Sequence, residues 1–143
     1  MTTVTVRLAQ SDDVTAILAF DHLAQQPETG REEFIRRSVA EKTCWAAVLE
    51  DQVVGYGVLD YSFYACGFIA MLYVHKDYRR AGVGQALLEK LEQICETPKL
   101  FTSTNLSNLP MQALLGKRGY ALSGVIYNLD EGDPELVFFK RVR

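Results

Sequence analysis

The segment that most constrains the fold of this chain runs from Leu72 to Ile94, with the sequence LYVHKDYRRAGVGQALLEKLEQI. It begins in an apolar stretch, passes through a charged turn that contains Gly82 and Gly84, and continues into an amphipathic pattern. Apolar residues recur there at helical spacing on one face, at Leu87, Leu91, Ile94 and Cys95. The segment therefore predicts a strand, a glycine turn and a helix in direct succession.

Such a turn is suited to bind an anion. Glycine leaves the backbone accessible, and the first N–H groups of a helix have no partner within the helix. Arg79 and Arg80 precede the glycines and can pair with phosphate oxygens. A diphosphate-bearing ligand fits these features, and a solvated turn with two arginines remains the alternative on these residues alone.

Two common nucleotide-binding motifs do not match the turn. A dinucleotide-binding G-x-G-x-x-G would need a third glycine at the position of Leu87. A P-loop needs Gly-Lys followed by Ser or Thr, but Gln85 follows Gly84. Nucleotide binding of either type is therefore not expected.

Size and composition narrow the class of protein. The chain has 143 residues, which predicts one domain over residues 1–143, and its net charge of -3 does not indicate a nucleic-acid partner. Its longest apolar run, Phe68 to Val74, is far shorter than the roughly 20 residues that span a bilayer. The amino-terminal residues do not resemble a secretory signal, so we expect a cytoplasmic protein without a membrane partner. The three cysteines are far apart, which argues against a disulfide framework and a metal site.

Hydrophobic periodicity predicts the element order βααβββαβαββ in one α/β or α+β domain. We expect strands over residues 4–9, 43–50, 53–64, 66–74, 100–105, 120–129 and 135–142. We expect helices over residues 11–25, 31–42, 84–96 and 108–119, the second of which buries Phe34, Ile35 and Val39. The polar residues Glu50 to Gln52 have the length of a hairpin turn.

The glycine turn and a second segment resemble a known family. Arg79 to Gly84 match R/Q-x-x-G-x-G/A, the pyrophosphate-binding motif of the GNAT superfamily of N-acetyltransferases. Asn108 to Tyr120, NLPMQALLGKRGY, are similar to the family's N-x-x-A-x-x-F-Y-x-K-x-G-F. The resemblance implies a mixed central sheet of about seven strands, splayed between strands 4 and 5. It also implies transfer of an acetyl group from acetyl-CoA to a primary amine, by direct attack in a ternary complex.

The resemblance also implies which residues would contact acetyl-CoA. The Leu72 backbone amide would face the thioester oxygen, and the backbone of Leu72, Tyr73 and Val74 would pair with the pantetheine arm. The pyrophosphate would be held by Arg79, Arg80, Ala81, Gly82, Val83, Gly84 and Gln85. Asn105 or Asn108 would contact the pantetheine or phosphate portion from the far side, with plain capping as the alternative role of each asparagine, and Lys117 could reach the adenosine end. We expect valine at Gly82 or Gly84 to obstruct the pyrophosphate and leave the fold intact.

Two positions depart from the family pattern. Leu115 stands where the usual tyrosine acid is expected, and Phe68 stands where some members carry a glutamate base. Another tyrosine, Tyr127, or water could supply the proton instead. The departures leave open an alternative, a non-catalytic domain that binds or senses acyl-CoA.

The acceptor side is less constrained by the sequence. Tyr61 and Tyr64 could line it or could be ordinary strand residues, and Asp130 and Glu131 could attract a cationic amine or lie in a solvated turn. The acceptor is expected to be a small-molecule amine or a protein amine. The chain is expected to be a monomer or a homodimer.

Overall fold

The computed structural model describes residues 3–143 and contains one seven-stranded sheet with the strand order β1-β2-β3-β4-β5-β7-β6. The pairing of β4 with β5 is parallel, and it joins Gly67–Ile69 to Leu100–Thr102. The pairings of β1 with β2, β2 with β3, β5 with β7 and β6 with β7 are antiparallel. The strands are β1 (Thr5–Leu8), β2 (Cys44–Leu49), β3 (Gln52–Phe63), β4 (Cys66–Val74), β5 (Lys99–Asn105), β6 (Ala121–Ile126) and β7 (Glu135–Arg141).

Four α-helices lie between these strands. They are α1 (Val14–Phe20), α2 (Arg31–Ala40), α3 (Val83–Ile94) and α4 (Leu109–Lys117). The predicted order βααβββαβαββ and the mixed α/β class are confirmed. None of the helices within residues 3–143 has the length and apolar character needed to cross a membrane.

The first predicted helix is wrong in its second half. We expected a helix over residues 11–25, but α1 ends at Phe20 and a separate 3-10 turn covers His22–Gln25. Asp21 separates them because its backbone is extended, with φ -89° and ψ 95°. Its side chain accepts hydrogen bonds from Leu23 N and Ala24 N and so caps the following turn. The next helix, α2, buries Ile35 and Val39 as expected, whereas Phe34 is only partly buried.

Two tight turns connect the central strands. Glu50 and Asp51 join β2 to β3 and have positive φ angles of 51° and 63°. Tyr64 and Ala65 join β3 to β4 in the same way, with φ angles of 52° and 62°. Two successive positive φ angles characterise the hairpin turn whose twist matches that of the strands. The predicted hairpin after Glu50 is therefore confirmed.

The described chain divides into two compact units, and the first comprises residues 3–59 and 71–91. A core in this unit joins strands β2 and β3 to helix α3 through Ala47, Leu49, Val54, Val83 and Leu87. Leu72 and Val74 of strand β4 pack against this core. The glycine turn is thus anchored at its end by Val83, which is fully buried.

The second unit comprises residues 60–70 and 92–143. Within it, Glu92 accepts hydrogen bonds from the Tyr120 hydroxyl at 2.9 Å and from Lys140 Nζ at 3.1 Å. Arg118 also pairs with this carboxylate. Burial is the main cause that raises the pKa of Tyr120, and the charge of Glu92 raises it further. The hydroxyl of Tyr120 therefore stays protonated and donates. A single domain over residues 1–143 stays a prediction.

We predict opposite effects on stability for alanine at two glycines of the second unit. A Cβ at Gly67 would overlap Cys95 Sγ and lie 3.2 Å from Thr97 Oγ1 and 3.3 Å from Leu100 Cδ1. Gly67→Ala should therefore destabilise the fold by about 1–3 kcal/mol through overpacking. A Cβ at Gly116, in α4, has no neighbour within 4 Å. Gly116→Ala should stabilise the fold by about 0.5–1 kcal/mol because alanine loses less backbone entropy.

Urea denaturation measures both effects through the shift of the midpoint at constant slope. A Gly67→Ala variant as stable as the wild type would contradict the crowding at Cys95. A destabilised Gly116→Ala variant would contradict the open surroundings of that glycine.

Candidate functional site

The predicted anion-binding turn lies between strand β4 and helix α3. After β4 ends at Val74, a 3-10 turn covers Lys76–Tyr78 and α3 begins at Val83. Gly82 has a φ of +81°, and a Cβ placed on it would have no neighbour within 4 Å. The backbone of this residue is therefore open on the side where a side chain would be.

The conformation of Gly82 corrects one expectation. An L-residue is strained at this φ even where there is room for its side chain. Valine at Gly82 would therefore weaken the fold as well as obstruct a ligand. Gly84 lies inside α3 and is not among the residues with positive φ, so it accepts a side chain without that strain.

The first amides of α3 can bind an anion. Ala86 N–H donates to Gly82 O at 3.0 Å and closes the first turn of the helix. The N–H groups of Val83, Gly84 and Gln85 precede this bond and have no acceptor within the helix. They lie at the positive end of the helix dipole, where a negative charge is stabilised. These amides fit a pyrophosphate, which is the group that the motif predicts here.

The arginines of the turn differ in how they are held. Arg79 Nε donates to Val74 O at 3.1 Å, and its guanidinium lies 5.6 Å from the centre of the Tyr73 ring. Arg80 is exposed. Ala81 N–H donates to Tyr78 O at 3.2 Å inside the turn. The backbone amides of the α3 start are therefore better candidates for the pyrophosphate than the Ala81 amide.

The end of strand β4 presents its side chains to two different groups of residues. Leu72 and Val74 join the core below α3. Tyr73 instead stacks on Phe20 and Tyr56, with ring centres 6.2 Å and 6.3 Å away. The predicted contacts of acetyl-CoA with the backbone of Leu72, Tyr73 and Val74 stay a prediction.

In the second unit, two predicted cofactor residues also have structural partners. Asn105 Nδ2 donates to Asp130 Oδ2 at 2.8 Å and to Asp133 O at 3.3 Å. Asn108 Oδ1 caps α4 by accepting from Met111 N at 3.2 Å. Lys117 is exposed at the end of α4. Cofactor contacts of these three residues stay predictions.

Both positions where the family places a proton-transfer group are apolar in their surroundings. Leu115 is fully buried, and Phe68 stacks on Phe63 with ring centres 5.3 Å apart. The proposed substitute, Tyr127, follows strand β6 with 67% of its surface exposed. It lines a cavity of about 260 Å³ with Asn128, Asp130, Glu131, Gly132, Asp133 and Pro134.

The acidic residues of this loop have different roles. Asp133 accepts from Ser107 N at 3.0 Å and from Ser107 Oγ at 2.6 Å. Asp130 accepts from Asn105. Both carboxylates therefore hold the loop in place. Glu131 is exposed at the tip of the loop, which makes it the better candidate for attracting a ligand from solvent.

The two tyrosines predicted for the acceptor side lie near the end of β3. The Tyr61 hydroxyl accepts from Glu96 N at 3.0 Å, just beyond the end of α3. Tyr64 lies in the tight turn before β4 and is exposed. Their acceptor role stays a prediction.

Sequence reasoning missed a buried polar network in the first unit. Asp21 is fully buried, and its Oδ2 accepts from the Tyr56 hydroxyl at 2.6 Å and from Arg31 Nε at 3.0 Å. Burial is the main cause that raises the pKa of Tyr56, and the hydrogen bond to Asp21 raises it further. The hydroxyl of Tyr56 therefore remains protonated and donates. The Arg31 guanidinium lies 5.6 Å from the centre of the Tyr73 ring. The available signal was an aspartate inside an apolar helical pattern, which indicates a cap or a buried ion pair.

Comparisons with known proteins agree with this geometry. The model of the Acetyltransferase (GNAT) family matches residues 11–120. A GNAT-family acetyltransferase from Bacillus cereus ATCC 10987 is 33% identical and has a TM-score of 0.88, with 99% of this chain and 97% of that chain covered. Comparison with proteins of curated function gave no match.

Two more distant structures share the fold. The ribosomal-protein-S18-alanine N-acetyltransferase of Escherichia coli is 16% identical, with a TM-score of 0.79 over 98% of this chain and 94% of that chain. An acetyltransferase from Bacillus anthracis str. Ames, solved in complex with acetyl coenzyme A, is 21% identical. Its TM-score is 0.63 over 68% of this chain and 62% of that chain.

Proposed function

Because this chain belongs to the GNAT acetyltransferase family, we propose that it transfers an acetyl group from acetyl-CoA to a primary amine by direct attack in a ternary complex. The observation that carries the proposal is the open backbone at Gly82, followed directly by the first amides of α3, which have no acceptor within the helix. The acceptor is a small-molecule amine or an amine of a protein. The protein acts as a monomer or a homodimer.

The proposed contacts with acetyl-CoA use mainly the backbone of the first unit. The amides of Val83, Gly84 and Gln85 bind the pyrophosphate, and Arg80 adds positive charge. The Leu72 N–H donates to the thioester oxygen, where negative charge develops as the amine attacks. The pantetheine arm pairs with the backbone up to Val74.

The reaction needs no strong acid on the enzyme. The amine lone pair attacks the thioester carbonyl carbon, the C–S bond breaks, and the sulfur leaves as the CoA thiolate. A thiol has a pKa of about 8.5, so the thiolate leaves without full protonation. The ammonium proton passes to water, and the thiolate takes up a proton from water or from the Tyr127 hydroxyl, which then regains one from water. The hydrophobic positions Leu115 and Phe68 are therefore compatible with turnover, with proximity providing much of the rate.

Thiol release tests this function directly. The protein is incubated with acetyl-CoA and each member of a panel of polyamines, amino acids, aminoglycosides and peptides, and free CoA is titrated with a thiol reagent. We expect amine-dependent CoA release with at least one acceptor class. Tight CoA binding without release for any amine would overturn the transferase proposal.

Such an outcome would favour the second candidate, a domain that binds or senses acyl-CoA without turnover. The observation in favour of this candidate is that Leu115 is fully buried and Phe68 is stacked, so neither usual proton-transfer position holds a polar group. This second candidate would be supported if the protein has the same affinity for acetyl-CoA before and after long incubation with the panel of amines.

The acidic loop between β6 and β7 leads to a prediction about the acceptor. If the loop attracts a cationic amine, Glu131→Gln should raise the acceptor KM a few-fold at low salt, with CoA affinity unchanged, because Coulomb attraction at exposed sites is screened over about 8–10 Å. Glu131 is the suitable position, since Asp130 and Asp133 hold the loop through hydrogen bonds. Steady-state kinetics at low and high salt measure the effect.

A KM that is independent of salt in the wild type would remove the loop from acceptor binding.

Tyr127→Phe tests the proposed proton donor. It should lower kcat with little change in KM if Tyr127 donates the proton, because that contact forms only in the transition state. A wild-type kcat in Tyr127→Phe would leave water as the proton carrier.

A further inference from the structure

Two arginines from distant parts of the sequence lie near the same aromatic ring. The guanidinium carbons of Arg31, at the start of α2, and of Arg79, after β4, are each 5.6 Å from the centre of the Tyr73 ring. Phe20 and Tyr56 stack on the same ring. This group of side chains occupies the side of β4 opposite to the core under α3.

The orientation of Arg31 is fixed by the buried network. Its Nε donates to Asp21 Oδ2 at 3.0 Å, and only 18% of its side chain is exposed. Asp21 is held in turn by the Tyr56 hydroxyl and by the amides of the 3-10 turn. Arg31 also interacts with the Tyr56 hydroxyl. A guanidinium has five N–H donors, so these two contacts leave donors of the terminal amino groups for another acceptor.

The two guanidinium groups near Tyr73 have different partners. Asp21 is the carboxylate partner of Arg31, whereas Arg79 donates to the carbonyl oxygen of Val74 instead of to a carboxylate. Arg31 is therefore paired with a carboxylate, whereas Arg79 bonds to a neutral carbonyl oxygen. An anion beside them would be stabilised by their positive charge, and a planar carboxylate matches the fork geometry of arginine.

We propose that Arg31 binds a carboxylate of the acceptor, so that the amine substrate of this protein is one that also carries a carboxylate. The inference rests on the proposed function, because it places the acceptor against the side of β4 whose backbone is proposed to hold the thioester. The half-buried Tyr73 ring, which stacks on the buried Phe20, provides a flat, partly apolar surface for the rest of the acceptor. Asp21 and Tyr56 are positioning residues that hold the Arg31 fork.

An anionic group near Arg31 has a second possible source, the phosphates of CoA. Arg79 already belongs to the predicted pyrophosphate motif, so its contribution to CoA affinity does not separate the two sources. The contribution of Arg31 to CoA affinity does separate the two sources, because Arg31 lies outside that motif. If Arg31 binds an acceptor carboxylate, Arg31 variants should keep their affinity for CoA. If it binds a CoA phosphate, they should lose that affinity.

The wild-type protein tests the proposal without any substitution. The probes are the common L-amino acids and a series of straight-chain ω-amino acids, each as the free acid and as the primary amide, with acetyl-CoA and thiol detection. The ω-amino acids matter because their amine pKa values change little on amidation. We expect kcat/KM to be at least about tenfold higher for the free acid than for the matched amide, which corresponds to about 1.4 kcal/mol.

Variants of Arg31 assign the preference to this side chain. Arg31→Gln should reduce the ratio of acid to amide to nearly one through a higher acceptor KM, and Arg31→Lys, which keeps the charge but not the fork, should give an intermediate ratio. The matched control is Arg37→Gln in the same helix, where the arginine lies 6.0 Å from the Phe34 ring and is exposed. CoA affinity, measured by isothermal titration, should be the same in all variants.

Several results would overturn the inference. They are equal or better use of the amides by the wild type, turnover restricted to amines that lack a carboxylate, and loss of CoA affinity in Arg31→Lys. In each of these cases the acetyltransferase function could still stand. Absence of turnover with every amine, by contrast, would overturn both the function and the acceptor assignment.

Discussion

Replacing Asp21 with alanine should destabilise the protein by about 3–5 kcal/mol, the typical cost of removing one partner of a buried ion pair. The substitution would leave the charge of Arg31 and the Tyr56 hydroxyl without the carboxylate that now accepts from both. It would also leave the amides of Leu23 and Ala24 without their cap. Because a typical domain is stable by only 5–15 kcal/mol, the loss would be large.

Urea unfolding of a short series measures this effect. Tyr56→Phe removes one hydrogen bond to a charged group and should cost about 1.5–3 kcal/mol. Asp12→Ala serves as the control, since Asp12 is an exposed aspartate from the same part of the chain and should change stability by no more than about 0.5 kcal/mol. An Asp21→Ala variant no less stable than Asp12→Ala would show that the network contributes nothing to the fold.

The second large effect concerns CoA. A ligand at 100 times its dissociation constant stabilises the folded state by about 2.7 kcal/mol, which raises the melting temperature by roughly 5–10 °C for a chain of this size. Gly84→Val should remove most of this shift, because its side chain would lie beside the amides that are proposed to hold the pyrophosphate. Thermal unfolding with and without CoA gives the shift for each variant.

Gly84 is a better position for this experiment than Gly82. The backbone of Gly82 is in the left-handed region, so a valine there would lower the melting temperature in the absence of CoA. Gly84→Ala provides a graded comparison, because the family motif accepts alanine at this position and most of the shift should remain. An undiminished CoA shift in Gly84→Val would exclude the α3 start as the pyrophosphate site.

The elements near the glycine turn could be predicted because their signals are local. The apolar run of β4, the glycines and the helical spacing of Leu87 and Leu91 all lie within the segment from Leu72 to Ile94. The hairpin at Glu50 could be predicted in the same way, since a short polar turn between two apolar stretches indicates it. Local patterns of this kind, together with the resemblance, were sufficient for the element order and for a candidate cofactor site.

The Asp21 network could not be predicted, because its members are far apart in the sequence. No spacing rule connects Asp21 with Tyr56, and their hydrogen bond exists only once β3 has packed with the segment after α1 in the first unit. The same limit applies to Asn105, whose partner Asp130 lies in a later loop. The helix predicted through Gln25 is wrong for a related reason, since the apolar pattern continues past Asp21, whereas Asp21 has an extended backbone and caps the next turn.

The tight turn at Glu50 and Asp51 also bears on the order in which the chain folds. A two-residue connection costs little loop-closure entropy, and its twist already suits the two strands that it joins. The β5–β7 ladder, by contrast, pairs Lys99 with Arg141 and must close a long segment that includes α4 and β6. Pairing of distant segments is slow because its entropy is lost before its contacts form. We therefore expect the β2–β3 hairpin to form early and the β5–β7 pairing to form late in folding.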